Sequence, residues 1–265
     1  MAGKDPQLHG TVRVAPDPDR LYDDLAVALM GVAFEAVQDR GILHLGLSGG
    51  STPEPFYMRL VTDPRFRGLP WEQTHLWVVD ERRVPEDDPR NNFRMIREAL
   101  ADHVPIKGRQ KHPMPVGVDD PVSEYEAELR EVFAGGRLAA ATQPIPRLDF
   151  VLLGMGLDAH TASLFPHSHA IGITDRWVAV NDGEHVSPPP RVTMTYPLLN
   201  AARHVAVLVT GRAKAAAVRR VEQQIRSSGP DPHALPITGI DPGSAAAAAG
   251  REGKLVWYLD SDAAG

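Results

Sequence analysis

Sixteen residues near the middle of the chain, GMGLDAHTASLFPHSH from Gly154 to His169, gather two glycines, a carboxylate, three histidines and several hydroxyls behind an apolar run. Glycines at 154 and 156 let a backbone approach a ligand closely, and a histidine leaving such a turn suits general-base work near its ordinary pKa of about 6.5. His160, His167 and His169 could instead hold a metal, but spacings of seven and two residues around Pro166 match no familiar zinc pattern. No metal site is therefore expected; His160 is the candidate base, and His167 and His169 read as exposed. A lone histidine in a turn is ordinarily structural, so its companions decide.

Three further turns supply them. GLSGGSTP, Gly46–Pro53, can be read as a G-x-S-x-G nucleophile elbow around Ser48, as a phosphate cradle or as a plain tight turn. An elbow normally follows several strands and an oxyanion loop. Only one strand is evident before Ser48 and no HGG-type segment precedes it, which favours a cradle made by Gly49, Gly50, Ser51 and Thr52. DERRVPEDDPRNNFR, Asp80–Arg94, would alone be a solvated loop. Beside a phosphate loop, Asp80 could orient a sugar hydroxyl while Arg82 or Arg83 offers a forked guanidinium. In Pro188–Ala215, Lys214 is one of only five lysines against 23 arginines and stands in the first turn of an expected helix. The helix dipole disfavours a cation there, which points to an anionic ligand, and Arg191, held after three prolines, is a second candidate cation.

Each turn needs a strand before it and a helix after it. The runs Ile42–Leu47, Leu76–Val79, Leu148–Leu153 and Val205–Val209 predict strands, with a last one at Leu255–Leu259. Apolar residues at three- and four-residue spacing predict helices over Arg20–Arg40 with Asp19 as N-cap, Asn92–Asp102, Pro121–Phe133 and Arg212–Arg226. Pro105–Pro121 and Val186–Arg191 are expected to be loops because proline removes donors and fixes φ. Asp241–Gly253 is low in complexity and reads as a surface loop or a short alanine helix. The expected fold is α/β: an open, mainly parallel sheet flanked by helices, modified Rossmann-like, with ligands outside the carboxyl ends of the strands. One crevice would then collect all four turns.

The composition sets bounds. A chain of 265 residues with 43% hydrophobic and 23% charged residues suits one α/β domain, and no internal repeat is visible. A formal charge of −6 leaves no general basic surface for nucleic acid. Cysteine is absent, so chemistry falls to His, Ser, Thr, Asp, Glu, Arg or Lys. Without an apolar leader or a stretch long enough to span a bilayer, a cytoplasmic protein with no membrane contact is expected.

Taken in order, LSGGSTP (47–53), DERRVP (80–85), LLGMGLDAHTASLFP (152–166), PPPRVTMTYP (188–197), VTGRAKA (209–215) and LVWYLD (255–260) resemble the 6-phosphogluconolactonase family. That family shares its sugar-phosphate isomerase type of fold with the glucosamine-6-phosphate deaminases, and the resemblance runs from about Leu43 to Leu259. It implies hydrolysis of a small phosphorylated sugar lactone, the δ-lactone of 6-phosphogluconate, without metal or cofactor, in the oxidative pentose phosphate pathway; the sequence leaves open a monomer or small homo-oligomer. It also implies that Gly49, Gly50, Ser51 and Thr52 surround the phosphate, that Arg82, Arg191 and Lys214 supply positive charge, and that His160 is the catalytic histidine. Asp80 and Asn92 lie on its substrate-contacting loop, and Asp158 is a candidate partner of His160. The chain departs from the pattern where the usual Asp-Gly-His-Thr reads Asp158-Ala159-His160-Thr161, and where the usual Ser-Asn after DER reads Asn91-Asn92. If the family glycine takes φ > 0, Ala159 strains the turn that aims His160. Two other activities compete: an aldosamine-6-phosphate deaminase or isomerase, whose turn would continue Asn-Glu-Pro where Leu164-Phe165-Pro166 stands, and a sugar-phosphate sensor, which would lose the base.

Overall fold

The computed structural model describes residues 5–135, 144–186 and 189–265. Ser187 and Pro188 of the proline-rich turn lie outside the described residues. The strands are β1 Thr11–Ala15, β2 Leu43–Leu47, β3 Thr74–Val78, β4 Asp80–Arg82, β5 Lys111–His112, β6 Phe150–Gly154, β7 Val178–Asn181, β8 Arg191–Met194, β9 His204–Val209 and β10 Lys254–Asp260. The helices are α1 Pro18–Arg40, α2 Glu54–Thr62, α3 Asn92–Ile96, α4 Pro121–Phe133, α5 Tyr196–Ala201, α6 Ala215–Ser228, α7 Pro242–Ala248 and α8 Ser261–Ala264. No described helix is long and apolar enough to cross a membrane.

Seven strands form one parallel sheet in the order β1-β10-β9-β6-β2-β3-β5. Their apolar runs are buried throughout: every residue of β2, β9 and Leu255–Asp260 of β10 is buried. Such continuous burial is what a parallel sheet covered on both faces requires. The chain proceeds from β2 outward to β3 and β5, then returns to place β6 on the other side of β2. The strand order therefore reverses between β2 and β6, and the carboxyl ends of those two strands frame the crevice.

Several expectations are corrected. Helix α1 starts at Pro18 and is capped by Asp17, whose side chain accepts from the Arg20 N–H, rather than by Asp19. Proline at the first helical position loses no hydrogen bond, so the helix can start earlier. Two strands, not one, precede Ser48: β1, TVRVA, escaped notice because only its last residue is fully buried at the sheet edge. Within the 105–121 connection, β5 adds a two-residue edge strand. In the 241–253 segment it is the short alanine helix, of the two readings, that forms: Asp241 accepts from the Ser244 N–H and starts α7. Lys214 ends a 3-10 turn, Arg212–Lys214, that leads into α6. Sequence patterning also gave no sign of a second, antiparallel sheet, β4-β8-β7, which packs near the carboxyl ends of the main strands. It grows out of the main sheet, as the Met194 N–H donates to Val79 O just before β4.

Candidate active site

A cavity of about 210 Å³ opens at the strand-order reversal. Ser48–Pro53 follow β2, Asp80, Arg82 and Asn92 follow β3, Gly154–Gly156 and His160 follow β6, and Lys214 follows β9; all of them line it. A larger hollow of about 500 Å³ lies at the opposite end of the strands. Arg40 and Arg203 there are both paired with the buried Asp149, so these three charges serve the fold.

The His160 turn is strained and closely held. Ala159 takes φ 68° and is completely buried, and Ala162 and His167 also sit at positive φ. Within the turn, the Gly156 N–H donates to His160 O at 2.8 Å and Thr161 Oγ1 donates to Gly154 O at 2.9 Å. From the connection between α6 and α7, the Ile237 N–H donates to Ala159 O at 3.0 Å. The His167 N–H in return donates to His233 O at 2.9 Å. A left-handed alanine costs roughly 1–2 kcal/mol, and these fixed partners hold it there.

His160 Nδ1 lies 2.6 Å from Asp158 Oδ1, which also accepts from the His160 backbone N–H. Burial raises the Asp158 pKa, but the hydrogen bonds and charge of His160 outweigh it and bring it down to about 2. An ionised carboxylate only accepts, so Nδ1 carries the hydrogen and the basic lone pair is on Nε2. Gly156 makes room for the pair: a Cβ there would stand 2.1 Å from His160 Nδ1 and 2.6 Å from Asp158 Oδ1. The other flank of the ring packs on Phe165, with centroids 4.6 Å apart.

The cradle reads equally directly. Gly50 has φ 102°, closed to ordinary residues, and a Cβ on Gly49 would fall 2.0 Å from Asn92 Oδ1. No side chain caps the start of α2, so its first N–H groups face the loop end unpaired by side chains. Tyr57 steadies the loop by donating to Ser48 O at 2.7 Å. Ser48 was singled out in the sequence only as a possible nucleophile. Its buried Oγ has no hydrogen-bond partner among the described residues, so no base is engaged to activate it, and it stands as a free donor on the cavity wall.

Asn92 donates from Nδ2 to Asp80 O, while Glu81, 1% exposed, accepts from the N–H groups of Arg82, Asn92 and Phe93. Burial pushes the Glu81 carboxyl up to about 7 against those donors. Sequence patterning passed over Glu81, which ties α3 to β4. Lys214 Nζ donates to Met155 O at 2.8 Å; burial lowers its pKa and the Asp158 charge works against that. Arg191 does not line the cavity. It faces Arg82 across the β4–β8 ladder with its guanidinium 5.7 Å from the Phe165 ring centroid, and burial and then the Arg82 charge lower its pKa. His167 and His169 are exposed, and no cluster of three or more His, Asp or Glu side chains among the described residues could hold a metal ion. One wall thus offers a carboxylate-oriented imidazole, the other a cradle of backbone and hydroxyl donors, with an ammonium beside the base.

Residues 16–257 match a family model described as glucosamine-6-phosphate isomerases/6-phosphogluconolactonase. The chain is 39% identical over 245 residues to the human GDH/6PGL endoplasmic bifunctional protein, covering 92% of this chain but only 29% of that protein's length. It is 38% identical over 234 residues to a 6-phosphogluconolactonase of Synechocystis, covering 86% of each. Among solved structures, the 6-phosphogluconolactonase from Trypanosoma cruzi superposes with a TM-score of 0.77 at 25% identity, covering 99% of this chain and 98% of that one.

Proposed function

The chain belongs to the glucosamine-6-phosphate isomerase/6-phosphogluconolactonase family, and from that premise we propose that it hydrolyses 6-phospho-D-glucono-1,5-lactone to 6-phosphogluconate. The observation that carries the reading is the His160–Asp158 pair at 2.6 Å in one cavity with the Gly49–Thr52 cradle and Lys214. A lactone is an activated ester, so one base, donors for the tetrahedral oxyanion and a remote anchor suffice, with no metal or cofactor. His160 Nε2 takes a proton from water as its oxygen bonds to C1; when the ring C1–O bond breaks, the same proton passes to the leaving oxygen. Asp158 holds the imidazole in that tautomer and steadies the transient imidazolium. Ser51, Thr52 and the backbone of Gly49 and Gly50 surround the phosphate, Lys214 and Arg82 oppose its charge, and Arg191 adds to the field through its place opposite Arg82. Held at its far end, the substrate presents C1 to the water without further search.

The deaminase reading asks for a carboxylate in the continuation of the His160 turn. Phe165 stands there instead and lays an apolar ring against His160, which favours hydrolysis over proton transfer between C1 and C2. The test is hydrolysis of the lactone with and without its 6-phosphate, beside turnover of glucosamine 6-phosphate. A strong preference for the phosphorylated lactone, insensitive to EDTA and abolished down to the spontaneous rate in His160→Ala, is expected. Turnover of the amino sugar rivalling that of the lactone would overturn the assignment.

A further inference from the structure

Beneath the cavity lies a set of buried polar side chains that the reaction as described does not use. Ser163 is 1% exposed, Thr193 and Asn181 are 0% and Ser168 is 6%. Ser163 Oγ donates to Asp80 Oδ2 at 2.6 Å, a short bond to a buried carboxylate. Both backbone groups of Ser163 are held by side chains of the small sheet: its N–H donates to Thr193 Oγ1 at 3.1 Å, and its carbonyl accepts from Asn181 Nδ2 at 2.7 Å. Thr193 Oγ1 passes its own hydrogen to Met194 O, and Asn181 Nδ2 also donates to Ser168 Oγ. Thr193 stands directly opposite Asp80 in the β4–β8 ladder. The sheet that carries Asp80 therefore also grips, from two strands, the one described residue that bonds its carboxylate. Apolar side chains would fill this space at lower desolvation cost, so a network ending on a cavity carboxylate calls for a role there.

Resting on the lactonase reading of the same cavity, we propose that Ser163 is a positioning residue for substrate recognition: it engages Asp80 Oδ2 and leaves Oδ1 to accept a hydrogen bond from one ring hydroxyl of the bound lactone. No described residue donates to Oδ1, and Asp80 lines the cavity. Ser163 itself does not line it. Losing its hydroxyl therefore harms the substrate only through Asp80. The experiment measures kcat/KM of the wild type and Ser163→Ala on the phosphorylated lactone and on its 2-, 3- and 4-deoxy analogues. On the parent, Ser163→Ala is expected to fall roughly 10- to 100-fold, the range for a hydrogen bond to a charged group. On the analogue lacking the hydroxyl that Asp80 holds, the two proteins should be equal. Ser163→Cys, a weak donor of similar volume, repeats the measurement should alanine not be tolerated, and the same substrate-dependent loss is expected. Ser163→Thr, which keeps the hydroxyl, should recover part of it. An equal loss on every substrate, or none on the parent, overturns the positioning role. A wild type inactive on the lactone would instead overturn the function itself.

Discussion

Replacing Ala159 by glycine tests whether the His160 turn carries real backbone strain. At φ 68° the alanine forfeits roughly 1–2 kcal/mol relative to a residue without Cβ. Against that gain stand two losses: the greater freedom of glycine in the unfolded chain, about 0.4–1 kcal/mol, and the burial of one methyl, about 0.8 kcal/mol, since Ala159 is 0% exposed. The opposing contributions nearly cancel, so Ala159→Gly is expected within about 1 kcal/mol of the wild type. Ala206, equally buried but in β9 and not at positive φ, supplies the comparison. There the same substitution suffers both losses without relief and should cost about 1.2–1.8 kcal/mol. Urea unfolding of both variants, extrapolated to water, gives the difference directly. Because the alanine already follows the path a glycine would take, lactone hydrolysis by Ala159→Gly should stay near the wild-type rate. Two variants destabilised alike would refute the strain, and with it the idea that surrounding hydrogen bonds hold the turn against a preference for other conformations.

Other expectations follow from the same geometry. Gly49→Ala drives a Cβ to 2.0 Å from Asn92 Oδ1 and should cost about 1–3 kcal/mol through overpacking while lowering kcat/KM; Gly31→Ala on the open face of α1 should stabilise by up to about 1 kcal/mol. Lys214→Ala should raise KM for the phosphorylated lactone roughly 10- to 100-fold and narrow its advantage over the unphosphorylated one, and an unchanged ratio would count against the anchor. Burial, followed by neighbouring positive charge, holds His44 at about 3 and His75 and His204 at about 4. The unfolded chain binds protons first as pH falls below its ordinary histidine value of about 6.5, so each such group withdraws up to about 1.4 kcal/mol of stability per pH unit between there and its folded value. The partly buried His75 withdraws less. Chemical denaturation at pH 7, 6 and 5 should show a steady decline, and a flat profile would contradict the buried neutral imidazoles.

The parallel sheet and the crevice were legible because they depend on local signals: β-branched and leucine-rich runs, glycines after them, and helices with one apolar stripe. Gly49, His160 and Lys214 belong to such turns and could be gathered in advance by the rule that ligands sit outside strand carboxyl ends. What escaped is what depends on partners distant in sequence. β1 resembles a polar segment until β10 pairs with it. Glu81 looks like one more charge in a charged loop until Asn92 and Phe93 turn their N–H groups toward it. Ser163 and Asn181, eighteen residues apart, meet only because the small sheet folds one beneath the other. The strain at Ala159 was foreseeable only as a condition on φ, and the value of 68° meets that condition.

The two backbone hydrogen bonds that join the α6–α7 connection to Ala159 and His167 also bear on portability. Residues 150–167 form a compact string that could be copied into another parallel-sheet scaffold, strand and all. The copy would carry the imidazole and the carboxylate but leave behind the His233 carbonyl and the Ile237 N–H, more than sixty residues downstream. Alanines at 159 and 162 would then be free to relax to negative φ, carrying the ring away from the position in which it faces the cradle. A functional graft needs both segments, or glycines at the alanine positions in place of the second. Insertions and deletions within residues 231–240 are, for the same reason, changes to the active site.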